Sequence, residues 1–465
     1  MHNEIGVSVF TETYRGSVAA WECDQYGHMN VQFYVARISD AAASTMLAAG
    51  MGEQALNERG LGIVAVNQSI DYVQELRAGT LIRMESAIKL IEGRKVVFHH
   101  RLFDAETGAL AMKADVLGLC FDLKARKTIP FPEEIAKGFA RLLMDGGEAF
   151  EQLAIPAPEQ GCIAGQRSPV NAWECDRMNH MNVQFYLARA AEAVNHIFAA
   201  LDLGPTRLRE DGLMLRSHLH HLLFRREMRE GSVGRMISGI RSVSADRICI
   251  SHRLLNAESG EVSAQVESEI GLMRLSDDSD APLPDAALLR AEQMAADFAG
   301  PEPIKPQTGP RVPELARIPA LLPGMLETGR NMVDRWECDS RGIMATRFYM
   351  ARFSDGIGNL VAGLGLSPMQ LHARNVGFAA LDYCIHIHRP LRLGQAHYVR
   401  SGVLEIRDKT WRFCHVMLDS LNNEVIARAE IVSTTFDLKA RKSIRLPDDL
   451  RAAIERHLIA AEAAE

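Results

Sequence analysis

The sequence predicts an α+β protein of three tandem units, in each of which a curved antiparallel sheet is wrapped around a long apolar helix. The first observation is a 17-residue motif that occurs three times, starting at Trp21, Trp173 and Trp336. The first copy shares 13 of 17 residues with the second and 10 with the third. The second observation is the apolar segment that follows the motif, and the third is a run of strand-like segments behind it.

The repeats extend well beyond the motif. Adding 152 to a residue number of the first copy gives the second copy, and adding 315 gives the third; 100 residues later residues 121–127 still match residues 436–442. Each unit is therefore roughly 130 residues long, a normal domain size. The predicted boundaries are a first domain over 1–150, a second over 160–280, a Pro-rich linker with one helix over 281–325, and a third domain over 326–465.

The elements of one unit can be assigned in order. Residues 31–49 contain no Gly or Pro and predict a buried helix, with Asn30 as its N-cap and Gly50 at its end. Turn signals separate four predicted strands, which are Ile63–Tyr72, Thr80–Ile91, Lys95–Asp104 and Leu110–Phe121. We expect one strand, the helix and then an antiparallel meander that covers the helix.

Composition excludes several classes of function. The 465 residues carry a net charge of -7, so nucleic acid is not an expected partner, and no uninterrupted apolar run is long enough to span a membrane. Eight cysteines without an export signal indicate reduced thiols in the cytoplasm. No cofactor or metal is expected, because CxxC pairs are absent and the cluster His218, His220 and His221 has no evident carboxylate partner.

The motif places Asp24, Gly27, His28 and Asn30 just before the helix, which then carries Phe33 and Tyr34. This arrangement resembles the hotdog-fold acyl-CoA thioesterases of the 4-hydroxybenzoyl-CoA thioesterase type, over most of each of the three units. The resemblance implies three hotdog domains and hydrolysis of a thioester. It also implies that the motif aspartate is catalytic, and Asp176 holds that position in the second copy.

Thioester hydrolysis requires an attacking oxygen and stabilisation of the carbonyl oxygen. The aspartate can serve as nucleophile or as general base for water. Amides at a helix N-terminus provide positive potential, which points to the backbone of Val31 and Gln32 and of Val183 and Gln184. The remaining candidates orient the carboxylate or bind the thioester oxygen; they are His28, Asn30, His180 and Asn182.

Other readings of these residues stay open. Asp24 can also cap a turn, and His28 can be structural. One helical position is acidic in all three copies, and its residues are second-choice catalytic acids: Asp40, Glu192 and Asp355. The third copy keeps Asp339 as a possible third site but has Ile343 and Ala345 in place of His and Asn, which favours a structural or altered-specificity unit.

The preferred function is hydrolysis of acyl-CoA or acyl-carrier-protein thioesters. Basic residues that could meet CoA phosphates are Arg94, Lys95, Lys124, Arg126 and Lys127. The alternatives are an acyl thioester hydratase or dehydratase and a non-catalytic acyl-CoA-binding or scaffold protein. Because units of this type pair, three per chain leave one over, and we expect a homodimer with six units or an internally closed arrangement.

Overall fold

The computed structural model describes residues 10–24, 26–144, 160–176, 178–304, 323–366 and 368–459. Each unit consists of a first strand, a 3₁₀ turn, a long helix, a short helix, four long strands, a two-residue strand and a trailing helix. The first unit contains β1 (Thr11–Ser17), α1 (Val31–Ala48), α2 (Glu53–Arg59), β2 (Leu61–Tyr72), β3 (Leu81–Glu92), β4 (Lys95–Asp104), β5 (Leu110–Asp122), β6 (Lys127–Thr128) and α3 (Glu133–Ala140).

The other two units repeat this order. The second contains β7 (Cys162–Pro169), α4 (Val183–Ala200), α5 (Pro205–Glu210), β8 (Leu213–Phe224), β9 (Val233–Val243), β10 (Arg247–Asn256), β11 (Val262–Arg274), β12 (Asp280–Ala281) and α6 (Asp285–Ala296). The third contains β13 (Leu326–Met332), α7 (Arg347–Gly363), α8 (Pro368–Ala373), β14 (Val376–Ile387), β15 (Ala396–Ile406), β16 (Thr410–Asp419), β17 (Val425–Asp437), β18 (Lys442–Ser443) and α9 (Asp448–Glu455).

The central helix forms as the sequence predicts. The Asn30 side chain accepts a hydrogen bond from the Gln32 amide at 3.2 Å, and Gly50 follows the helix with φ +82°. Tyr34, Ile38 and Ala41 of α1 are buried in the core of the first unit together with side chains of β3, β4 and β5. An antiparallel sheet therefore encloses the helix, which confirms the α+β prediction.

The strand order differs from the expected meander. Strands β3, β4 and β5 follow one another, but β2 pairs with β5 instead of β3, so the order is β2-β5-β4-β3-β1. Residues 73–80, which connect β2 to β3, are too long for a tight turn and cross the end of the helix. There the Met29 amide donates to the Leu76 carbonyl at 2.7 Å, so this crossover holds the motif in place.

The three units share one sheet, which has 18 strands over the described ranges. Strand β1 pairs with β7, which joins the first two units, and β8 pairs with β14, which joins the second and third. The helix expected in the 281–325 linker is α6, which packs on β9 at the position that α3 and α9 hold in their own units. It is therefore the trailing helix of the second unit. No helix in the described parts of the chain is long and apolar enough to cross a membrane.

The mid-strand histidines are core residues. His100 lies 2.7 Å from the Ser86 hydroxyl and His252 lies 2.7 Å from that of Ser238, and His415 repeats the contact. Burial lowers the pKa of each imidazole to about 3. These histidines are therefore neutral and packed inside the sheet.

Candidate active site

The motif aspartate closes a tight turn in every unit. Asp24 Oδ1 accepts from the amides of Tyr26 at 2.9 Å and His28 at 3.2 Å, and the Asp24 amide donates to the His28 carbonyl. Asp176 and Asp339 make the same pair of side-chain contacts. One carboxylate oxygen therefore closes the turn in each unit. This structural role is enough to account for the aspartate in the third copy.

A buried ion pair, whose glutamate sequence reasoning missed, anchors the motif. The Glu22 carboxylate accepts from the Ala19 amide at 2.9 Å and pairs with Arg37 of α1. The second unit pairs Glu174 with Arg189 at 2.9 Å, and the third makes the equivalent pair between Glu337 and Arg352. The available signal was that this Glu and this Arg stand near the two ends of the motif in all three copies.

The helix start supplies one clear amide donor. Asn30 and Asn182 use their side-chain oxygens to cap the Gln32 and Gln184 amides, each at 3.2 Å. The preceding amide, that of Val31 or Val183, is the first of its helix, where N–H groups have no intrahelical partner. In the third unit Thr346 precedes the helix in a helical conformation and makes no side-chain cap.

The motif histidines lie against the crossover between the second and third strands of their unit. His28 forms a backbone bridge with Arg77, and His180 forms the same bridge with Arg229. A glutamate oxygen is 3.2 Å from Nε2 in both units, from Glu75 in the first and from Glu227 in the second.

The second site also receives a residue from the third unit. Arg441 Nη2 is 3.2 Å from His180 Nε2, and the same arginine pairs with Glu227. Burial, and then the charge of Arg441, lowers the pKa of His180. Because arginine only donates, Nε2 of His180 is the acceptor and the imidazole is neutral.

The third motif has an apolar residue at the histidine position. Ile343 stands where the other copies have His and is 5% exposed, packed against Met214 and Met273 of the second unit. Beside it, Arg392 pairs with Asp278 of the second unit. The histidine position of the third motif is therefore a packing contact between two units.

The helix acids differ sharply in environment. Asp40 is buried, and this burial raises its pKa. Its carboxylate lies 3.3 Å from Arg37 and 3.5 Å from the side-chain amide of Asn171 in the second unit. Burial raises the pKa of Glu192 to about 7. Asp355, by contrast, has a side chain that is 71% exposed.

A cavity of about 830 Å³ lies where the three units meet. Its lining brings together Asp24, Asp40, Glu192 and Asp339, along with Arg347. Within the described ranges Asp176 is not part of this lining. Other residues of the second motif, Trp173 and Glu174 among them, do line it, so parts of all three motifs border one cavity.

The motif cysteines and two histidines of the His218–His221 cluster have ordinary structural environments. Burial raises the pKa of Cys23, Cys175 and Cys338, which keeps these thiols protonated. His220 contacts Ser268 at 2.9 Å, and His221 contacts Asp382 of the third unit at 2.7 Å. Each of these histidines thus has a protein partner.

The repeated helix-and-sheet units and their motif loops define a class of hotdog proteins. The sequence profile of the Thioesterase-like superfamily matches residues 18–139, 170–292 and 333–454. These segments cover most of the chain, so the protein belongs to this superfamily and contains three tandem hotdog domains.

Individual relatives are more distant. The acyl-CoA thioesterase YbgC of Haemophilus influenzae is 29% identical over 87 residues, which are 19% of this chain and 62% of that protein, less than two thirds of its length. A putative oleoyl thioesterase structure from Lactobacillus plantarum aligns with a TM-score of 0.45 and 12% identity over 59% of this chain and 96% of its own. An acyl-ACP thioesterase structure from Bacteroides thetaiotaomicron aligns with a TM-score of 0.43 and 10% identity, over 59% of this chain and 98% of its own.

Proposed function

We propose that the protein hydrolyses acyl-CoA or acyl-carrier-protein thioesters to a free acid and a thiol. The observation that carries the proposal is the arrangement in the first two units, where an Asp-His-Asn loop stands at the N-terminus of a buried helix whose first amide is available. Water or a carboxylate attacks the carbonyl, and the leaving group is the thiolate. The eight cysteines are free thiols, which agrees with action in the cytoplasm.

The proposed roles follow from which atoms are already engaged. The amides of Val31 and Val183 hold the carbonyl oxygen at the positive end of the helix. The second carboxylate oxygen of Asp24 or Asp176 attacks the carbonyl or takes a proton from water, since Oδ1 is engaged in the turn. His28 and His180 position the substrate beside the crossover. The acids Asp40 and Glu192 are assigned to packing between the first two units.

The experiment measures thiol release from a panel of acyl-CoA and acyl-carrier-protein thioesters. Asparagine is the right replacement because its Oδ1 still accepts from the turn amides. We expect Asp24→Asn combined with Asp176→Asn to lower kcat/KM by roughly a hundredfold or more. The matched control, Asp339→Asn, changes the same turn in the third unit and leaves kcat/KM within about twofold.

Two results would redirect the assignment. Acyl-CoA that binds without release of thiol by any substrate identifies a binding protein. Hydration of an enoyl thioester, with the thioester bond intact, identifies a hydratase. Unchanged thiol release in the double variant removes the aspartates from the mechanism.

A further inference from the structure

The cavity at the junction of the three units has an aromatic wall to which every unit contributes. Trp21, Trp173 and Trp336 hold the same position in the three motifs, and all three line the cavity. They are 44%, 68% and 53% exposed. Trp21 and Trp336 pack edge-on against Phe33 and Phe348, with ring centroids 5.1 Å apart. Rigid indole faces that border a cavity form a surface for the apolar part of a ligand.

A guanidinium group stands among these aromatic side chains. Arg347 begins α7 at the position that Gln32 and Gln184 hold in the other units, and it lines the cavity. Its guanidinium carbon lies 5.5 Å from the ring centroid of Phe185 in the second unit and 4.3 Å from that of Phe348. Burial lowers its pKa, and the carboxylates that oppose this effect include the motif glutamate of every unit. Arg347 therefore lies at the centre of the junction.

The motif glutamates around this arginine already have partners in their own units. The pairs are Glu22–Arg37, Glu174–Arg189 and Glu337–Arg352. Arg347 itself makes no hydrogen bond or ion pair with any described residue. Glu192 lines the same cavity, but burial raises its pKa to about 7, so at neutral pH it balances the charge of Arg347 only in part. The N–H donors of Arg347 are thus left to an anion from outside the chain.

The unpaired charges along the cavity wall are mostly positive. Among the lining acids that the structure describes, only Asp24 and Glu192 have no arginine partner, and Asp24 accepts from the amides of its turn. Four lining arginines have no carboxylate partner among the described residues: Arg77, Arg209, Arg335 and Arg347. An excess of cations in a partly enclosed space favours an anionic ligand.

We propose that this cavity binds a carboxylic acid with an apolar body, whose carboxylate pairs with Arg347 and whose apolar body lies against the three tryptophans. A carboxylate matches the parallel N–H donors of a guanidinium group, and about 830 Å³ is enough space for such a molecule. The free acid that thioester hydrolysis releases has this chemistry, and Asp24 of the first site borders the same cavity. Naming that acid as the natural ligand rests on the proposed function, whereas the site itself does not.

Fluorine NMR of the full chain labelled with 5-fluorotryptophan tests the site. The chain has four tryptophans, so the four signals are assigned by single replacements with phenylalanine. Hexanoate is expected to shift the signals of Trp21, Trp173 and Trp336. The signal of Trp411, which is buried and outside the described lining, is expected to stay in place. Hexan-1-ol lacks the charge and acetate lacks the apolar body, so each is expected to bind at least about tenfold more weakly.

The role of the arginine is tested by Arg347→Gln, which introduces the residue that the other two units have at this position. The affinity for hexanoate is expected to fall at least about tenfold, because a charge-assisted contact is lost. Arg347→Lys keeps the charge and is expected to lose less affinity. Arg330→Gln is the matched control, since it makes the same replacement in the third unit outside the described lining, and it should leave the affinity unchanged.

Three results would overturn the site: a Trp336 signal that hexanoate does not shift, equal binding of hexanoate and hexan-1-ol, or equal affinity in the wild type and Arg347→Gln. The titration contains no thioester, so it decides the site even if no chain releases thiol and the proposed function fails. If thiol is released, the acid product of the best substrate is titrated in the same way. A product that leaves the Trp336 signal in place is not the ligand.

Discussion

The second and third units face each other across β8 and β14 with the same fold, yet they present opposite sites. In the second unit, neutral His180 accepts from Arg441, which also pairs with Glu227. In the third unit, Ile343 fills the histidine position. A pseudo-symmetric interface therefore carries a polar histidine contact on one side and apolar packing on the other.

Two ion pairs cross this interface. The turn after β11 of the second unit carries Asp278, which pairs with Arg392 of the third unit. The turn after β17 of the third unit carries Arg441, which pairs with Glu227 of the second unit. Each pair joins opposite charges, so both turns hold the two units together.

The largest expected effect concerns the packed site. Ile343→Ala removes a buried side chain between two units and should lower the free energy of unfolding by about 3 kcal/mol, through lost transfer energy and a cavity. His180→Ala at the equivalent position should cost less than half as much, measured by urea denaturation. An equal cost at the two positions would mean that the third site is not specially packed.

Glu192, the helix acid that lines the cavity, should make stability depend on pH in the opposite sense from ordinary carboxylates. The folded-state pKa of Glu192 is about 7, against an ordinary 4.5, so the folded state holds the proton more tightly and stability falls as pH rises from about 4.5 to 7. Glu192→Gln should therefore raise the free energy of unfolding at pH 8 by up to about 3 kcal/mol.

Asp355→Asn, at the exposed equivalent in the third unit, is the matched control and should change the free energy of unfolding by less than about 0.5 kcal/mol. Unfolding of both variants would be followed between pH 5 and 8. A stability difference between Glu192→Gln and wild type that does not grow with pH would show that Glu192 is not protonated in the fold.

The smallest expected effect concerns Arg441, the arginine of the third unit that contacts His180. In an Asp24→Asn background, Arg441→Ala should lower kcat/KM for thiol release by about tenfold. It should also raise the pKa of His180 toward its ordinary value, because the arginine charge disfavours the imidazolium ion. Nitrogen NMR of the labelled imidazole measures that pKa directly.

Asp278→Ala removes the reciprocal contact and is the control, with kcat/KM unchanged and less than about 1 kcal/mol lost from a half-exposed pair. If both variants lower activity alike, the arginine acts by holding the units together and has no specific role at His180.

The repeat, the buried helix and its Asn30 cap could all be predicted from sequence, because helix periodicity and capping depend on neighbouring residues. The fourth strand of the unit, β4, was predicted with the bounds Lys95–Asp104 that the fold has. The position of β2 beside β5 could not be predicted from sequence, since alternation along a strand does not specify which strand lies next to it.

The features of the site also separate into those that the sequence determined and those that only the tertiary structure decided. The sequence by itself determined the loop, because the aspartate and the helix start are close along the chain and the first two copies repeat them. Only the tertiary structure decided that Arg441 reaches His180 over 261 positions, that Ile343 is buried by another unit, and that the pKa of Glu192 is raised whereas its equivalent Asp355 is exposed. Burial and charge pairing depend on which surfaces the fold brings together, so three copies of one motif acquire different environments from their neighbours.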